Sequence, residues 1–319
     1  METKISIINH SDILELKISP LRCLQWVEES FRRKYESQIP PKISLHPREW
    51  DFFNTMPCLL PNDIDRFSVK VVNRIEGEIP SLKSQILLYE CSTGNLLAVL
   101  ESSWITTMRT GAVAALSSRL FEKSDASVYG FVGLGNTARA TALCLLSEKD
   151  SKTVTFKLLK YKDQAESFIE RFSEYSNINF EIVDSAEEVV ATSDVVFSSI
   201  TSANGLLCPN DAYFKPGVLI VPIHTRGFQN CDLFFDKIYA DDEGHVKGFK
   251  YFSKFLNFNE LSRVLLGEAK GRENDEERIL SYNIGLGMHD GWFATHIYDM
   301  IGKQAPTFKM EKIENKFWI

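Results

Sequence analysis

Apolar and polar residues follow two different patterns along the chain, and the change comes near residue 127. From there, short apolar runs alternate with segments in which apolar residues recur at helical spacing, predicted as helices at 136–147, 163–175 and 186–191. Repeated strand–helix alternation predicts an α/β fold with a parallel sheet covered by helices on both faces. The runs predicted as strands are Val128–Val132, Thr153–Leu159, Asn179–Val183, Asp194–Ile200, Val218–Ile223 and Lys237–Ala240.

The first 120 residues show a different order of elements. A helix is predicted from about Ser19, and a segment interrupted by prolines, at 38–62, is predicted as loop and edge strand. Three strands are predicted at 68–73, 84–89 and 96–101, the last two as a hairpin, and a helix rich in small residues at 105–121. The tail, Glu260–Ile301, is predicted to be mainly helical.

Composition narrows the class of protein. The 319 residues carry a net charge of −7, which gives no general attraction to nucleic acid or to acidic membranes. No apolar run is long enough to span a bilayer, and the N-terminus lacks the apolar core of a signal peptide. The six cysteines are widely spaced and form no C-x-x-C pair. We therefore expect reduced thiols, no metal site and a cytoplasmic protein.

A glycine turn follows the strand Val128–Val132. Gly133, Gly135 and Ala138 fit the pattern G-x-G-x-x-A, in which the first glycine permits a tight turn and the second lets the backbone approach a pyrophosphate. Free N–H groups at the start of the following helix, at Asn136 and Thr137, favour an anion. The pattern predicts a dinucleotide site, although glycine turns also arise without one.

The end of the next strand bears on the choice between NAD(H) and NADP(H). An acidic residue there would bind the ribose 2′-hydroxyl of NAD. This chain has Lys160 and Lys162 instead, which favours the 2′-phosphate of NADP(H). Two alternatives remain open: the lysines are solvated surface residues, or Asp163 is the acid, displaced by a few positions.

Three cations precede the glycine turn: Lys42, Lys70 and Arg109. Lys70 interrupts an apolar strand and Arg109 lies in the helix of small residues, so both are candidates for burial. Buried cations need partners. A substrate carboxylate would provide one, with bidentate recognition by arginine, and internal ion pairs with the chain's own carboxylates are the alternative.

Two further polar residues follow apolar segments. His224 comes directly after the strand Val218–Ile223, at the carboxyl end of the sheet where open α/β folds place ligands, and histidine exchanges protons near neutral pH. Asp290 lies between glycines in Gly287–Gly291. The alternatives are a structural loop histidine and an aspartate that caps a helix or forms a turn.

Several segments in the same order resemble the ornithine cyclodeaminase/mu-crystallin family. The resemblance covers about residues 39–301 and includes the glycine turn. Its other parts are the segments Glu101–Val113 (ESSWITTMRTGAV), Ser198–Ser202 with Phe214–Gly217 (SSITS, FKPG), Leu266–Arg272 (LGEAKGR) and Gly285–Asp290 (GLGMHD).

The resemblance implies a homodimer whose chains have two domains and use NADP(H) or NAD(H) on amino or imino acids. It places a Rossmann-type nucleotide-binding domain at 121–295, and an α+β substrate-binding and dimerisation domain at 1–120 with 296–319. By position, Lys42, Lys70 and Arg109 fall on the family's substrate-carboxylate cations, and Lys42 stands where many members have arginine. Thr201 matches the post-strand threonine and, with Lys160 and Asp290, joins the predicted cofactor residues.

The chain departs from the family after Ile223. The loop in ornithine cyclodeaminases has an essential aspartate where this chain has His224. We therefore expect a dehydrogenase or imine reductase acting on an α-amino acid or its imino acid. In it Lys42, Lys70 and Arg109 hold the carboxylate, Lys70 takes part in proton transfer, and His224 is the acid/base. An ornithine cyclodeaminase with His224 in place of aspartate, and a nucleotide-binding protein without turnover, are the alternatives.

Overall fold

The structure, a computed structural model, describes residues 2–149, 152–223 and 226–319, so His224 lies outside the described residues. The helices are α1 (His10–Glu15), α2 (Pro20–Arg32), α3 (Ser103–Phe121), α4 (Asn136–Leu146), α5 (Gln164–Arg171), α6 (Ala186–Thr192), α7 (Glu243–Val246), α8 (Leu261–Leu265) and α9 (Gly287–Ile301). Short 3-10 helices lie at Lys34–Glu36, Asp211–Tyr213, Cys231–Leu233 and Phe252–Lys254.

Strands occur along the whole chain. They are β1 (Glu2–Ile8), β2 (Ile43–Leu45), β3 (Phe52–Leu59), β4 (Arg66–Arg74), β5 (Leu82–Glu90), β6 (Leu96–Glu101), β7 (Val128–Val132), β8 (Val154–Leu159), β9 (Ile178–Val183), β10 (Val195–Ser198), β11 (Leu219–Pro222), β12 (Lys237–Ala240), β13 (Asn259–Glu260), β14 (Ile279–Tyr282) and β15 (Thr307–Glu311).

The chain divides into two compact units. The first comprises Met1–Ser19, Arg33–Arg109 and Leu286–Ile319, and the second comprises Pro20–Arg32 and Thr110–Gly285. The division differs from the predicted boundaries, which lay after residues 120 and 295: it assigns Pro20–Arg32 to the second unit, and it falls before Leu286 and inside α3. Beyond Arg109 this helix packs on α4 so closely that a Cβ on Gly111 would lie 2.4 Å from the carbonyl carbon of Ala140.

The first unit is built on a seven-stranded sheet in the order β15-β1-β6-β5-β4-β3-β2. Its strands are antiparallel except for the parallel pair β1 and β6. In β4, alternate residues Ser68, Lys70 and Val72 are buried. Helix α9 packs against β3, β4 and β5. Lys70 lies in a cross-strand row whose other members are buried and apolar: Met56, Ile86, Leu100 and Ile8.

The second unit holds an eight-stranded sheet whose paired strands are all parallel, in the order β13-β12-β14-β11-β10-β7-β8-β9. The chain runs outward from β7 through β8 to β9, then returns to place β10 on the other side of β7. This is the doubly wound order of a Rossmann-type domain, and β7 and β10 flank its switch point. The predicted α/β fold with a Rossmann-type domain is confirmed.

The tail departs from the helical prediction. Between Glu260 and Ile301 it contains the strand β14 as well as α8 and α9, and β15 follows this segment. The six cysteines form no disulfide, and five of them are buried, with Cys91 exposed. No helix in the described ranges combines the length and the apolar character needed to cross a membrane.

Candidate active site

The glycine turn lies at the switch point of the parallel sheet. Gly133 has a φ of +87°, and a Cβ there would lie 3.0 Å from the amide nitrogen of Ile200. The left-handed backbone and this close approach both require glycine. Gly135 is the N-cap of α4 and provides no side-chain cap. The first N–H groups of α4, at Asn136 and Thr137, thus have no capping side chain and can receive a phosphate.

Two further observations fit a bound dinucleotide. Ala138 is buried, as expected for a residue at the start of α4, where this helix packs close to β7. A Cβ on Gly135 would meet no atom within 4 Å, so space adjoins the turn. The residues present therefore fit the pyrophosphate of a dinucleotide.

The segment after β10 adjoins the same turn. Ser199 donates its backbone N–H to the carbonyl of Val132 at 2.8 Å and its hydroxyl to the carbonyl of Gly133 at 3.1 Å. Thr201 follows two residues later, is exposed, and accepts a hydrogen bond from Arg226 at its carbonyl. Arg226 was not among the predicted site residues, because its only signal was its position shortly after β11.

The residues after β8 are solvent-exposed. The backbone N–H of Lys160 donates to the carbonyl of Val183 at 2.8 Å, which extends the pairing of β8 with β9 by one residue. Its Nζ lies 3.9 Å from Oδ1 of Asp184, and both side chains are exposed. Lys162 has a φ of +52° and Asp163 precedes α5 without capping it by a side chain. No acid stands at the tip of β8 itself.

A buried group of charges lies in the first unit. Nζ of Lys70 is 2.7 Å from Oδ2 of Asp290, and Nε of Arg109 donates to Oδ1 of Asp290 at 3.0 Å. Lys70 and Asp290 are fully buried and Arg109 is 5% exposed. The internal ion pairs that the sequence left open are therefore present. Asp290, predicted as a cofactor residue, has both oxygens on cations.

Two glycines let α9 carry Asp290 this close to the sheet. A Cβ on Gly291 would lie 2.5 Å from Oγ of Ser68, and one on Gly287 would lie 3.0 Å from the carbonyl oxygen of Met56. Both distances are too short for a larger side chain unless the helix moves away. Asp290 lies in the first turn of α9, where a negative charge is favoured by the helix dipole.

Burial and charge together set the protonation of this group. Burial and the charge of Arg109 lower the pKa of Lys70 from 10.5 to about 7, against the opposing effect of Asp290. The charge of Lys42 lowers it further, so the three predicted cations act on one another. Burial lowers the pKa of His289 well below 6.5, with further contributions from Arg109, Lys34 and Lys70.

Lys34 and His289 were missed in the sequence. Lys34 is 4% exposed and lies in a 3-10 helix after α2. His289 is fully buried next to Asp290. The only signal for His289 was its place in the glycine-bounded segment Gly287–Gly291, and Lys34 had none.

Residues 4–305 match the model of the ornithine cyclodeaminase/mu-crystallin family. A Δ1-pyrroline-2-carboxylate reductase of Bacillus cereus is 27% identical over 71% of this chain and 73% of its own length. The structure of the Thermococcus litoralis Δ1-pyrroline-2-carboxylate reductase with NADH and L-proline is similar, with a TM-score of 0.82, 23% identity, and coverage of 94% of this chain and 98% of that one. An archaeal alanine dehydrogenase dimer with bound NAD has a TM-score of 0.83, 23% identity, and coverage of 98% and 100%. These two likenesses show the shared fold.

Proposed function

The chain belongs to the ornithine cyclodeaminase/mu-crystallin family, and from that premise we propose that it is an NAD(P)(H)-dependent dehydrogenase or imine reductase of an α-amino acid and its imino acid. The observation that carries the proposal is the buried pair Lys70 and Arg109, which share the single carboxylate of Asp290. The names of the relatives support the same class of reaction, since they include a pyrroline-2-carboxylate reductase and an alanine dehydrogenase.

The buried cations Lys70 and Arg109 are suited to bind a substrate carboxylate. Lys70 and Arg109 together carry one positive charge more than Asp290 supplies in negative charge, and Lys42 adds to the positive potential. One carboxylate from the substrate would balance the two buried cations. Arg109 uses Nε on Asp290, which leaves the donors on its terminal nitrogens for a bidentate contact. Holding the carboxylate in this way fixes the position of the adjacent Cα.

The second unit is proposed as the cofactor domain. Gly133, Gly135, Asn136, Thr137 and Ala138 would hold the pyrophosphate, with Thr201 at the same edge. A bound NADP(H) or NAD(H) supplies the hydride donor or acceptor at the nicotinamide. Lys160 meets no acid closer than 3.9 Å among the described residues, which supports a preference for the 2′-phosphate of NADP(H).

Proton transfer is assigned to Lys70 and His224. A lysine whose pKa lies near 7 exchanges a proton readily at neutral pH, and Lys70 meets this condition because it is buried beside Arg109. His224 follows β11 by two residues in sequence and stays a prediction as the acid/base for the amine nitrogen or an attacking water. Asp290 is better placed to hold Lys70 and Arg109 than to touch a cofactor, since each of its carboxylate oxygens already lies on one of these two cations.

A reductase assay tests this function. Absorbance of NADPH and of NADH is followed with a panel of cyclic imino acids, and with 2-oxo acids plus ammonia. We expect oxidation with at least one compound, and loss of it in Lys70→Met. Lys83→Met is the matched control, because Lys83 forms only a surface ion pair with Glu78. Formation of proline and ammonia from ornithine without net cofactor change would establish a cyclodeaminase instead. Tight NADPH binding without turnover on any compound would establish a non-catalytic protein.

We further propose that the chain forms a homodimer through the first unit. On the sheet face opposite α9, five apolar residues stand in direct cross-strand register and remain partly exposed, with Ile7 the most exposed at 36%. An uncovered apolar row across five strands favours association with a second copy. The row consists of Ile7, Val99, Leu87, Val69 and Pro57.

We also propose a cytoplasmic location. Six unpaired thiols, most of them buried, are typical of proteins kept in a reducing compartment. Fractionation of cells that express the chain at its native level tests it, and recovery outside the cytoplasmic fraction would contradict it.

A further inference from the structure

Lys70 depends on one acidic partner. It is fully buried in a cross-strand row of apolar residues, and within the described residues Asp290 is the only carboxylate at ion-pair distance from its Nζ. The same carboxylate also accepts from Arg109. A buried ammonium beside a second cation would lose its proton if nothing opposed the two positive charges.

We infer that Asp290 is a positioning residue that acts through Lys70, keeping its buried ammonium charged beside Arg109 so that the two cations together hold the substrate carboxylate. The inference rests on the proposed function and adds to it the part played by an internal carboxylate. With Lys70 and Arg109 charged, the three side chains carry a net charge of +1. A bound carboxylate brings the group to zero, which is the favoured state for charges that are removed from water.

The other groups around Lys70 do not change charge near neutral pH. Cys58, on β3, has its pKa raised to about 12 by burial and by the charge of Asp290, so its thiol stays neutral. His289, next to Asp290 on α9, is neutral because its pKa lies well below 6.5. Arg109, on α3, supplies the second positive charge on Asp290.

The remaining groups add positive potential. Lys42, in the segment before β2, lowers the pKa of Lys70, and Lys34 lowers that of His289. Lys70 therefore determines how carboxylate binding changes with pH.

The sign of the pH dependence follows from the lowered pKa. Lys70 is charged below about pH 7 and becomes neutral above it. Carboxylate affinity should be constant below that pH and fall above it, by up to tenfold per pH unit where binding requires the ammonium. Removal of the Asp290 charge lowers the pKa of Lys70 further, so the fall should begin at a lower pH.

The experiment measures binding of pyrrole-2-carboxylate, a flat analogue of a cyclic imino acid, by titration calorimetry between about pH 5 and 9. For Asp290→Asn, we expect the midpoint of the fall in carboxylate affinity with pH to lie about one pH unit or more below that of the wild type. Asp290→Glu, which keeps the charge, should follow the wild type. Coincident profiles for the wild type and Asp290→Asn, or no binding to the wild type at any pH, would overturn the inference.

A second variant keeps the test decisive if Asp290→Asn does not fold. In Lys70→Arg the cation is permanently charged, so affinity should not fall above pH 7. A Lys70→Arg profile that falls as the wild type does would refute the role of Lys70 titration. The reductase panel is a separate measurement. Shifted binding profiles without cofactor oxidation would reject the proposed activity and leave the part played by Asp290 standing.

Discussion

Replacement of Gly291 by alanine tests the contact that brings α9 onto the sheet. An alanine Cβ would lie 2.5 Å from Oγ and 3.3 Å from Cβ of Ser68, so the helix or the strand has to shift. Overpacking of this kind costs about 1–3 kcal/mol. Alanine also gains about 1 kcal/mol over glycine inside a helix. The expected net change in the free energy of unfolding is thus between zero and a loss of about 2 kcal/mol.

The substitution should affect kcat/KM more strongly than the free energy of unfolding. Asp290 is the neighbouring residue, and a shift of α9 moves its carboxylate relative to Lys70 and Arg109. A misplacement of about 1 Å in such a group lowers kcat/KM by up to about 100-fold. Urea unfolding followed by tryptophan fluorescence reports on the correct region, because all the tryptophans except Trp26 lie in the first unit.

Ser68 provides the rescue. Its hydroxyl is buried without a hydrogen-bond partner among the described residues, so Ser68→Ala alone should cost little. The double variant Gly291→Ala with Ser68→Ala should recover most of the stability and the activity. Gly248→Ala is the control, since a Cβ there meets nothing within 4 Å. If Gly291→Ala alone stabilises the protein by the roughly 1 kcal/mol expected from helix propensity and leaves kcat/KM unchanged, the argument that α9 is held at this distance is refuted.

Other changes test separate parts of the molecule. His224→Ala should lower kcat while the Kd for NADPH stays the same, and an unchanged kcat would remove His224 from the mechanism. Lys160→Asp should weaken NADPH binding by about tenfold in fluorescence titrations without weakening NADH binding, since it replaces the cation that we propose for the 2′-phosphate by an anion. Leu87→Asp should give a monomer in light scattering, because it puts a charge into the exposed apolar row. Burial raises the pKa of Asp232 to about 6, so its ionisation opposes folding, by an amount that grows as the pH rises from about 4 to 6. Asp232→Asn should therefore stabilise the protein at pH 7 by about 3 kcal/mol and hardly at pH 4, as measured by urea unfolding.

The second unit could be predicted well because its strands are continuous apolar runs. Val128–Val132 coincides with β7, and Lys237–Ala240 with β12. Strands buried on both faces need such runs, so the pattern is visible without knowledge of their neighbours. β14 was missed because Ile279–Tyr282 is a four-residue run containing a serine, and its place in the middle of the sheet comes from pairing with β11 and β12.

The candidate site could be predicted in part. Lys70 could be predicted as a buried cation because it interrupts an apolar strand, and the structure shows it wholly buried. That Asp290 is the partner of Lys70 could not be predicted from the local pattern. Arg109 and Asp290 are 181 residues apart, and an aspartate after a glycine-rich segment has the same local pattern whether it caps a helix or holds a cation. The close approach of α9, which decides between the two, depends on the side chain at Ser68 as much as on Gly291.

The two interpretations of the cations, as internal ion pairs and as a carboxylate site, are compatible because of the charge count. If Lys70 and Arg109 each had a carboxylate of their own, the buried group would be neutral and a substrate carboxylate would bring an uncompensated charge into it. A single shared Asp290 leaves one positive charge unbalanced in a buried place. That imbalance costs folding free energy, and a carboxylate ligand removes it. The same three side chains thus explain why the pKa of Lys70 is lowered to about 7 and why a bound carboxylate should raise it.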